Sequence, residues 1–546
     1  MAPDLPDSLE RLSHSDLIGA VRDLVGEFAR FRAEHEKVLK TLAKLRIEHQ
    51  AVKDELARYK KLPPRPPQKP SGMEKATDRA EIGAGETKAG GSTRRRGSNL
   101  DKLKIDRTVV VKADAPKGSR FKGFEDIVIQ DVAFHRLVTC YRRERWLTPD
   151  GRTVIAPLAP EIVGGYGPHL HRLILTLHFQ GQMTCERILA LLNGAGVVIS
   201  KRQVVRLLVV GLETFRAEDE QVLTAGLSGS RFVTVDDTGA RHKNKSGFTT
   251  QIGSDRFTVF RTGPTKSRLA FLRNLLGGAA RYVVNEQALI YMRANSLPEA
   301  ALDKLAGCAT PVFPSHEDWM RGLNGLGLTG LLVTPDPVRV ASEGALWGAI
   351  CEEGRLGDLV IVSDGAGQFR VGVHAQCWVH ADRLVHKLVP ANQIQRRAVE
   401  VARRMIWWFY DLLKNYKLAP SPERAELLRA QFKRIFDRAK TGYAALDSLL
   451  RRLLRLEDRL LRVLDRPEIP LHTNASENDI RAFVTKRKIS GGTVSDNGRD
   501  ARDVMLGLAK TCKKLKVRFF DYLGARLAIP GPSIPNLPNL VREAPS

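Results

Sequence analysis

Three acidic residues in the back two-thirds of the chain have the types and spacing of a metal-dependent centre. Asp236 closes the apolar run Arg231-Phe-Val-Thr-Val235, and Asp364 closes a second run, Asp358-Leu-Val-Ile-Val-Ser363. Glu477 lies in Asn474-Ala-Ser-Glu477-Asn-Asp-Ile-Arg481, where a helical pattern starts. Two carboxylates on strand ends and a third on a helix can hold a pair of Mg²⁺ ions for phosphodiester chemistry. Such ions, about 4 Å apart, activate the attacking water and stabilise charge on the phosphorus and leaving oxygens. Asp237 neighbours Asp236, but adjacent strand residues face opposite ways, so only one of the pair reaches the metals. Each acid also has a plainer reading. Asp236-Asp-Thr-Gly239 and Asp364-Gly-Ala-Gly367 could be turns after strands, and Asn474-x-x-Glu477 matches a helix capping box. Their joint occurrence on a strand, strand, helix pattern is what favours catalysis.

The elements that must position these acids follow from hydrophobic periodicity. Strands are predicted at Arg231–Val235, Phe248–Ser254 and Arg256–Gly263, then a helix at Lys266–Leu276. A fourth strand runs into Asp364 and a fifth spans His374–Val379, leading into helix from Ala381. Three strands followed by a helix is how an RNase H-like fold begins. Residues 391–466 are helical in pattern, so the core is split by insertions at about 277–350 and about 383–468.

Upstream, Leu17, Val21, Leu24, Phe28, Phe31, His35, Val38, Leu42, Leu45, His49, Val52, Leu56 and Tyr59 alternate spacings of four and three. That heptad seam, sustained for about six heptads, predicts a self-associating coiled coil over 1–61, a long helix packed on its own protein being the alternative. The Pro- and Gly-rich stretch 62–99, with Arg94-Arg-Arg96, reads as a flexible basic linker. Residues 100–170 read as a small β-rich segment, for example Thr108-Val-Val-Val-Lys112. Within 171–225, two helical runs flank Asn193-Gly-Ala-Gly196, with Ser200 as N-cap of the second. Lys201, Arg202 and Arg206 begin that second run, where a recognition helix would meet DNA; an ordinary helical hairpin fits equally well.

Length and composition agree. A chain of 546 residues exceeds one core, and its formal charge of +26 favours a polyanionic partner, nucleic acid first. No apolar run approaches the length of a membrane span, and the amino terminus lacks a signal-peptide pattern. Cys140, Cys185, Cys308, Cys351, Cys377 and Cys512 lie far apart, so a disulfide framework or four-cysteine zinc site is not expected and a cytoplasmic location fits.

Three blocks then resemble the insertion-sequence 66 family of bacterial DDE transposases. They are Val235-Asp-Asp-Thr-Gly239, Val362-Ser-Asp-Gly365 with Gln376-Cys-Trp-Val-His380, and the stretch 467–525. In the last, Pro470–Arg481 resembles the family's N-x-A-E-x-x-x-R region, Lys486-Arg-Lys488 its basic continuation and Phe520–Leu523 its carboxy-terminal helix. The resemblance implies a multidomain α+β protein: coiled coil, helical DNA-binding segment, and RNase H-like core in parts 226–382 and 469–527 around the helical insertion. The tail 528–546 is expected to be disordered. It implies Asp236, Asp364 and Glu477 as catalytic metal ligands for two Mg²⁺ ions, with Mn²⁺ as substitute, and Asp236 preferred to Asp237. It places Arg481, Lys486, Arg487, Lys488 and Arg499 near DNA, and implies cleavage at terminal inverted repeats followed by joining to target DNA. A homodimer or larger assembly, accessory proteins from the same element, and a nucleoid-associated cytoplasmic location are implied too. A nuclease without strand transfer and a catalytically silent DNA-binding descendant are the alternatives. Cys377-x-x-His380 resembles an element after the second aspartate in several DDE families, a buried Cys and a capping His being the plainer reading.

Overall fold

The computed structural model describes residues 165–543 apart from 278–280, 309–310, 332 and 438–440, and most of 105–158 and residue 162. Before residue 105 it describes only scattered positions between 13 and 41. The chain divides into two units, Met1–Asp131 and Val132–Ser546. In the first, Val21, Phe28, Phe31 and His35 of the predicted seam are helical and exposed. Leu17, Leu24, Val38, Leu42, Leu45, His49, Val52, Leu56 and Tyr59, and the whole predicted linker, lie outside the described residues.

The segment expected to be β-rich holds little sheet. Thr108–Lys112 is exposed and has no regular structure, and the described residues between 105 and 144 contain neither helix nor strand. One short antiparallel hairpin, β1 (Arg145–Leu147) and β2 (Thr153–Ile155), is what forms. β-branched residues favour strands through cross-strand packing, and here no partner strand is offered.

From 168 the chain becomes helical: α1 (Pro168–Leu175), α2 (Cys185–Gly194), α3 (Lys201–Val209) and α4 (Glu213–Gly229). The hydroxyls of Thr184 and Ser200 cap α2 and α3 by accepting from the amides of Arg187 and Gln203, as their positions predict. Three antiparallel strands follow, β3 (Phe232–His242), β4 (Lys245–Gly253) and β5 (Thr258–Gly263), then α5 (Arg268–Leu276). β5 starts later than its predicted Arg256, because the Ser254 amide bonds the Phe257 carbonyl in a turn. The stretch 277–350 folds into β6 (Tyr282–Val283), α6 (Glu286–Ala294), α7 (Glu299–Ala306), β7 (Val312–Phe313), α8 (His316–Gly325) and most of α9 (Pro337–Glu352). Next come β8 (Val360–Ser363) and β9 (Val373–Gln376).

The sheet has the order β5-β4-β3-β8-β9, with β8 parallel to β3 and β9 parallel to β8. Helices then dominate: α10 (Trp378–His386), α11 (Gln393–Leu418), α12 (Pro422–Phe436), α13 (Ala444–Leu454), α14 (Glu457–Leu460) and α15 (Arg462–Asp465). The fifth strand is shorter than predicted, since the chain turns into α10 at Cys377 rather than Ala381. The carboxy-terminal part is α16 (Asn474–Ser490), α17 (Asp496–Lys514), α18 (Phe519–Arg526) and α19 (Leu537–Glu543). The tail expected to be disordered is therefore ordered to residue 543: Leu537 and Val541 are buried in the core, and α19 packs on α4.

Strand alternation divides the interior. Ile361 of β8 joins a core built on α1–α9 and α16–α19, while Val360 and Val362 face a second core under α10–α15. Trp378 anchors that second core among Phe409, Phe432 and Phe436, its indole N–H donating to the Leu460 carbonyl at 2.9 Å. The helical insertion is thus fastened to the strand that leads into Asp364. On the other face α4 lies so close to the sheet that a Cβ on Gly226 would sit 2.3 Å from the ring of fully buried Phe257. Gly226→Ala is expected to destabilise the fold by about 1–3 kcal/mol through overpacking, read as a lower urea midpoint.

Candidate active site

β3 and β8 run side by side with Thr234 opposite Val362. Two residues further along the chain from each stand Asp236 and Asp364, so the parallel register brings the two acids to the same level at the carboxy-terminal end of β8. Asp236 does not end its strand as expected. β3 continues to His242 because β4 pairs with its whole length, Asp236 opposite Gln251. Asp364 does follow directly on β8.

The oxygens of these acids are only partly used. Asp236 Oδ1 accepts from the Asp237 amide at 2.8 Å, and Asp364 Oδ1 accepts from the Ala366 amide at 2.8 Å. Asp237 points elsewhere: its Oδ2 accepts from Gln368 Nε2 at 2.6 Å, and Lys266 Nζ lies 3.9 Å from its Oδ1. Burial, with the like charges of Asp364, Asp237 and Glu477 adding, pushes the Asp236 carboxyl up to about 6, against the pull of the Asp237 amide. Burial also raises Asp237.

Glu477 sits in the first turn of α16, which packs on β3 and β4. A capping box would have it reach back to the cap amide. Instead the N-cap position falls at Thr473, whose side chain makes no capping bond, and Glu477 turns towards α10. There Arg383 Nη1 lies 2.8 Å from Oε1 and Nη2 donates to Oε2 at 3.2 Å. The hydrogen bond and charge of Arg383 hold the Glu477 carboxyl below its ordinary range. His380 Nε2 accepts from Arg383 Nη1 at 2.9 Å and lies 3.9 Å from Glu477 Oε1. Burial and then the Arg383 charge shift the His380 imidazole below its ordinary range, against the pull of Asp364 and Glu477. Cys377 is buried, its amide donating to the Ser363 carbonyl at 2.8 Å. Its neighbour Trp378 donates its amide to Leu471 at 3.0 Å, which fixes α10 between β8 and the approach to α16.

Arg383 is the residue that sequence reasoning missed. The signal was available, since a helix places residue 383 on the same face as His380.

An all-carboxylate donor set suits a hard cation such as Mg²⁺. Among the described residues, however, no three His, Cys, Asp or Glu side chains close into a metal-holding group. Glu477 is engaged by Arg383.

The turn after Asp364 is equally constrained. Gly365 has φ +90°, and a Cβ there would lie 2.7 Å from the Gln376 side chain. Gly365→Ala is expected to cost about 1–3 kcal/mol of stability, measured by urea unfolding, through strain beside Asp364.

Residues 360–501 match the family described as Transposase IS66 family, a span containing Asp364, Arg383 and Glu477. The chain belongs to the IS66 transposase family. It is also 51% identical over 320 residues to the uncharacterized protein y4jO of Sinorhizobium fredii, covering 59% of this chain and 99% of that protein.

The basic residues expected to meet DNA divide in this IS66-family chain. Lys201, Arg202 and Arg206 are exposed along α3, Lys201 pairing with Glu186 at 2.7 Å. Arg481 and Lys488 are exposed and Arg487 half-buried on α16, Arg481 lying 4.0 Å from Glu477. Arg499 is engaged by Asp496 at 3.0 Å and Asp500 at 2.8 Å. Lys486 is corrected: it is 2% exposed, and its ammonium donates to the carbonyls of His178 at 2.8 Å and Met183 at 3.2 Å. The helical period turns 486 inward while 487 and 488 face out, so it braces α16 and reaches no phosphate. No helix among the described residues is long and apolar enough to cross a membrane.

Proposed function

We propose that this chain is a DDE transposase that cleaves DNA at the ends of its insertion sequence and joins the freed 3′-OH to target DNA. Asp236, Asp364 and Glu477 act as its metal ligands. The observation that carries this reading is the electrostatics of Asp236. A carboxyl on β3, in parallel register with the strand that ends at Asp364, and driven up to about 6 first by burial and then by three neighbouring acids, marks a candidate site. An antiparallel β5-β4-β3 meander extended by parallel β8 and β9 supports an RNase H-like core.

Two Mg²⁺ ions, with Mn²⁺ as substitute, would be held by these three acids and supply an activated water and charge stabilisation at phosphorus. The chain's own part is positional. Asp236 and Asp364 present their oxygens from adjacent strands, and Glu477 completes the set from α16 on leaving Arg383. Cys377 and Trp378 fix the base of α10, and His380 lies beside Glu477 and Arg383. Lys201, Arg202, Arg206, Arg481, Arg487, Lys488 and Arg499 are assigned to DNA phosphates. The heptad seam supports a homodimer or larger assembly able to hold two ends, with accessory proteins from the same element as further partners. Terminal inverted repeats and target DNA are the substrates, in the cytoplasm at the nucleoid.

The test is a Mg²⁺-dependent assay on DNA carrying the element's own ends. Joined product is the expected result. Cleavage without joining would identify a nuclease, and binding without either would identify a silent DNA-binding protein.

A further inference from the structure

Arginines from α5, the β8–β9 loop and the helical insertion act on one another around the turn that follows Asp364. Arg268 lies 3.4 Å from Glu343 and Arg462 3.6 Å from Asp465, whereas Arg370, Arg452 and Arg459 have no carboxylate partner among the described residues. Arg370, in the β8–β9 loop, donates through Nε and Nη2 to the Gly365 carbonyl at 3.2 and 2.9 Å. Arg268 holds the same loop from α5, its Nη2 donating to the Gly367 carbonyl at 3.2 Å. The helical insertion brings the rest: α14 and α15 pack on β9, and Arg452, Arg459 and Arg462 come from α13, the end of α14 and the start of α15.

The charges are felt inside the protein. Arg370 loses basicity to burial first, then to Arg459, Arg452 and Arg268, with Asp364 alone opposing. His374 of β9 is depressed to about 3 by burial, with Arg459, Arg370 and Arg462 adding. Neither Arg452 nor Arg459 has a carboxylate partner among the described residues. Several arginines elsewhere are paired: Arg281 with Glu352 and Glu353, Arg293 with Glu299 and Arg321 with Asp318. A merely solvated face would have no reason to gather like charges where they repel.

We propose that Arg370, Arg452 and Arg459 form a phosphate-binding face that seats the DNA backbone against Asp364. Guanidinium groups suit this task, since their planar donors match phosphate oxygens in pairs. Binding DNA replaces mutual repulsion by attraction, and it makes the helical insertion part of the substrate channel. The choice of DNA as the anion rests on the function proposed above; the cluster itself does not.

The experiment uses the full-length chain and fluorescence anisotropy with a labelled random-sequence duplex and a single strand, over a salt series. Each phosphate contact contributes about 0.9 to the slope of log affinity against log salt on duplex and about 0.7 on single strand. R452A/R459A is expected to lower the slope by roughly 1.4 to 1.8 on the better-bound probe. R452K/R459K, which keeps the charges, should retain it. R293A/R321A removes two distant arginines and should leave it unchanged. An unchanged slope in R452A/R459A, or an equal fall in the distant control, overturns the proposal. Absence of DNA binding by the wild-type chain overturns this proposal together with the proposed function. A lowered slope in a chain that cleaves no DNA upholds the phosphate face while the nuclease chemistry fails.

Discussion

Glu477→Gln is expected to abolish Mg²⁺-dependent cleavage and joining while leaving DNA binding close to wild type. The amide keeps the shape of the side chain but removes the charge with which Glu477, on the proposed reading, would bind a hard cation. Residues that merely orient metal ligands typically cost 10- to 100-fold when changed, so loss of a ligand should exceed about 100-fold. The substitution also frees Arg383, which now pairs with Glu477 at 2.8 Å. Rates would be measured on end-containing DNA, with affinity for the same DNA measured in parallel. Rates within a fewfold of wild type would remove Glu477 from the catalytic set. Weakened binding together with lost rate would reassign it to DNA contact. The sharper outcome, rate lost and binding kept, is what a metal ligand at the edge of β3 and β8 requires.

The second large effect is structural and lies away from the acids. Glu218 of α4 is 7% exposed and carries four bonds. It accepts from the Tyr522 hydroxyl at 2.9 Å, from Arg526 Nε and Nη2 at 2.8 Å each, and from the Leu537 amide at 2.9 Å. One carboxylate thereby ties α4 to α18 and to the start of α19. Glu218→Ala leaves a guanidinium, a buried phenol and an amide without their partner, and should destabilise the fold by about 3–5 kcal/mol. Urea unfolding would show this as a lower midpoint, and a loss below about 1 kcal/mol would mean that water replaces the carboxylate freely.

The same group gives a pH dependence with a definite sign. Burial alone would raise the Glu218 carboxyl, but Arg526, the Leu537 amide and Tyr522 together hold it below its ordinary 4.5. A depressed folded value means that the unfolded chain binds the proton more readily. The contribution is therefore complete above about pH 4.5 and disappears as pH falls through the lower folded value. Wild type should lose stability across that acid window more steeply than Glu218→Ala.

What could be read before the fold was known follows a physical division. Ser200 capping α3 and Ser495 capping α17 are local matters, since the cap oxygen bonds an amide three residues on. The apolar runs before Asp236 and Asp364 are local too, because burial on both sides of a central strand demands continuous hydrophobicity. Where a reading needed a partner it failed or was incomplete. Thr108–Lys112 has strand composition but no neighbouring strand, and Asp236 is carried to mid-strand because β4 pairs beyond it. Lys486 and Arg487 are adjacent and chemically alike, yet one is buried on carbonyls and the other faces out.

By itself, then, the sequence determined the acids, their elements, the basic balance and the helical character of the insertion. These depend on residue type and on spacing within a single element. Only the tertiary structure decided that β3 and β8 lie in register with both aspartates at the carboxy-terminal end of β8. It also decided that Arg383 occupies Glu477 and that arginines of the insertion act on Arg370 and His374. Those contacts join residues about ninety or more positions apart, through sheet pairing and a shared core around Trp378, and no local pattern encodes them.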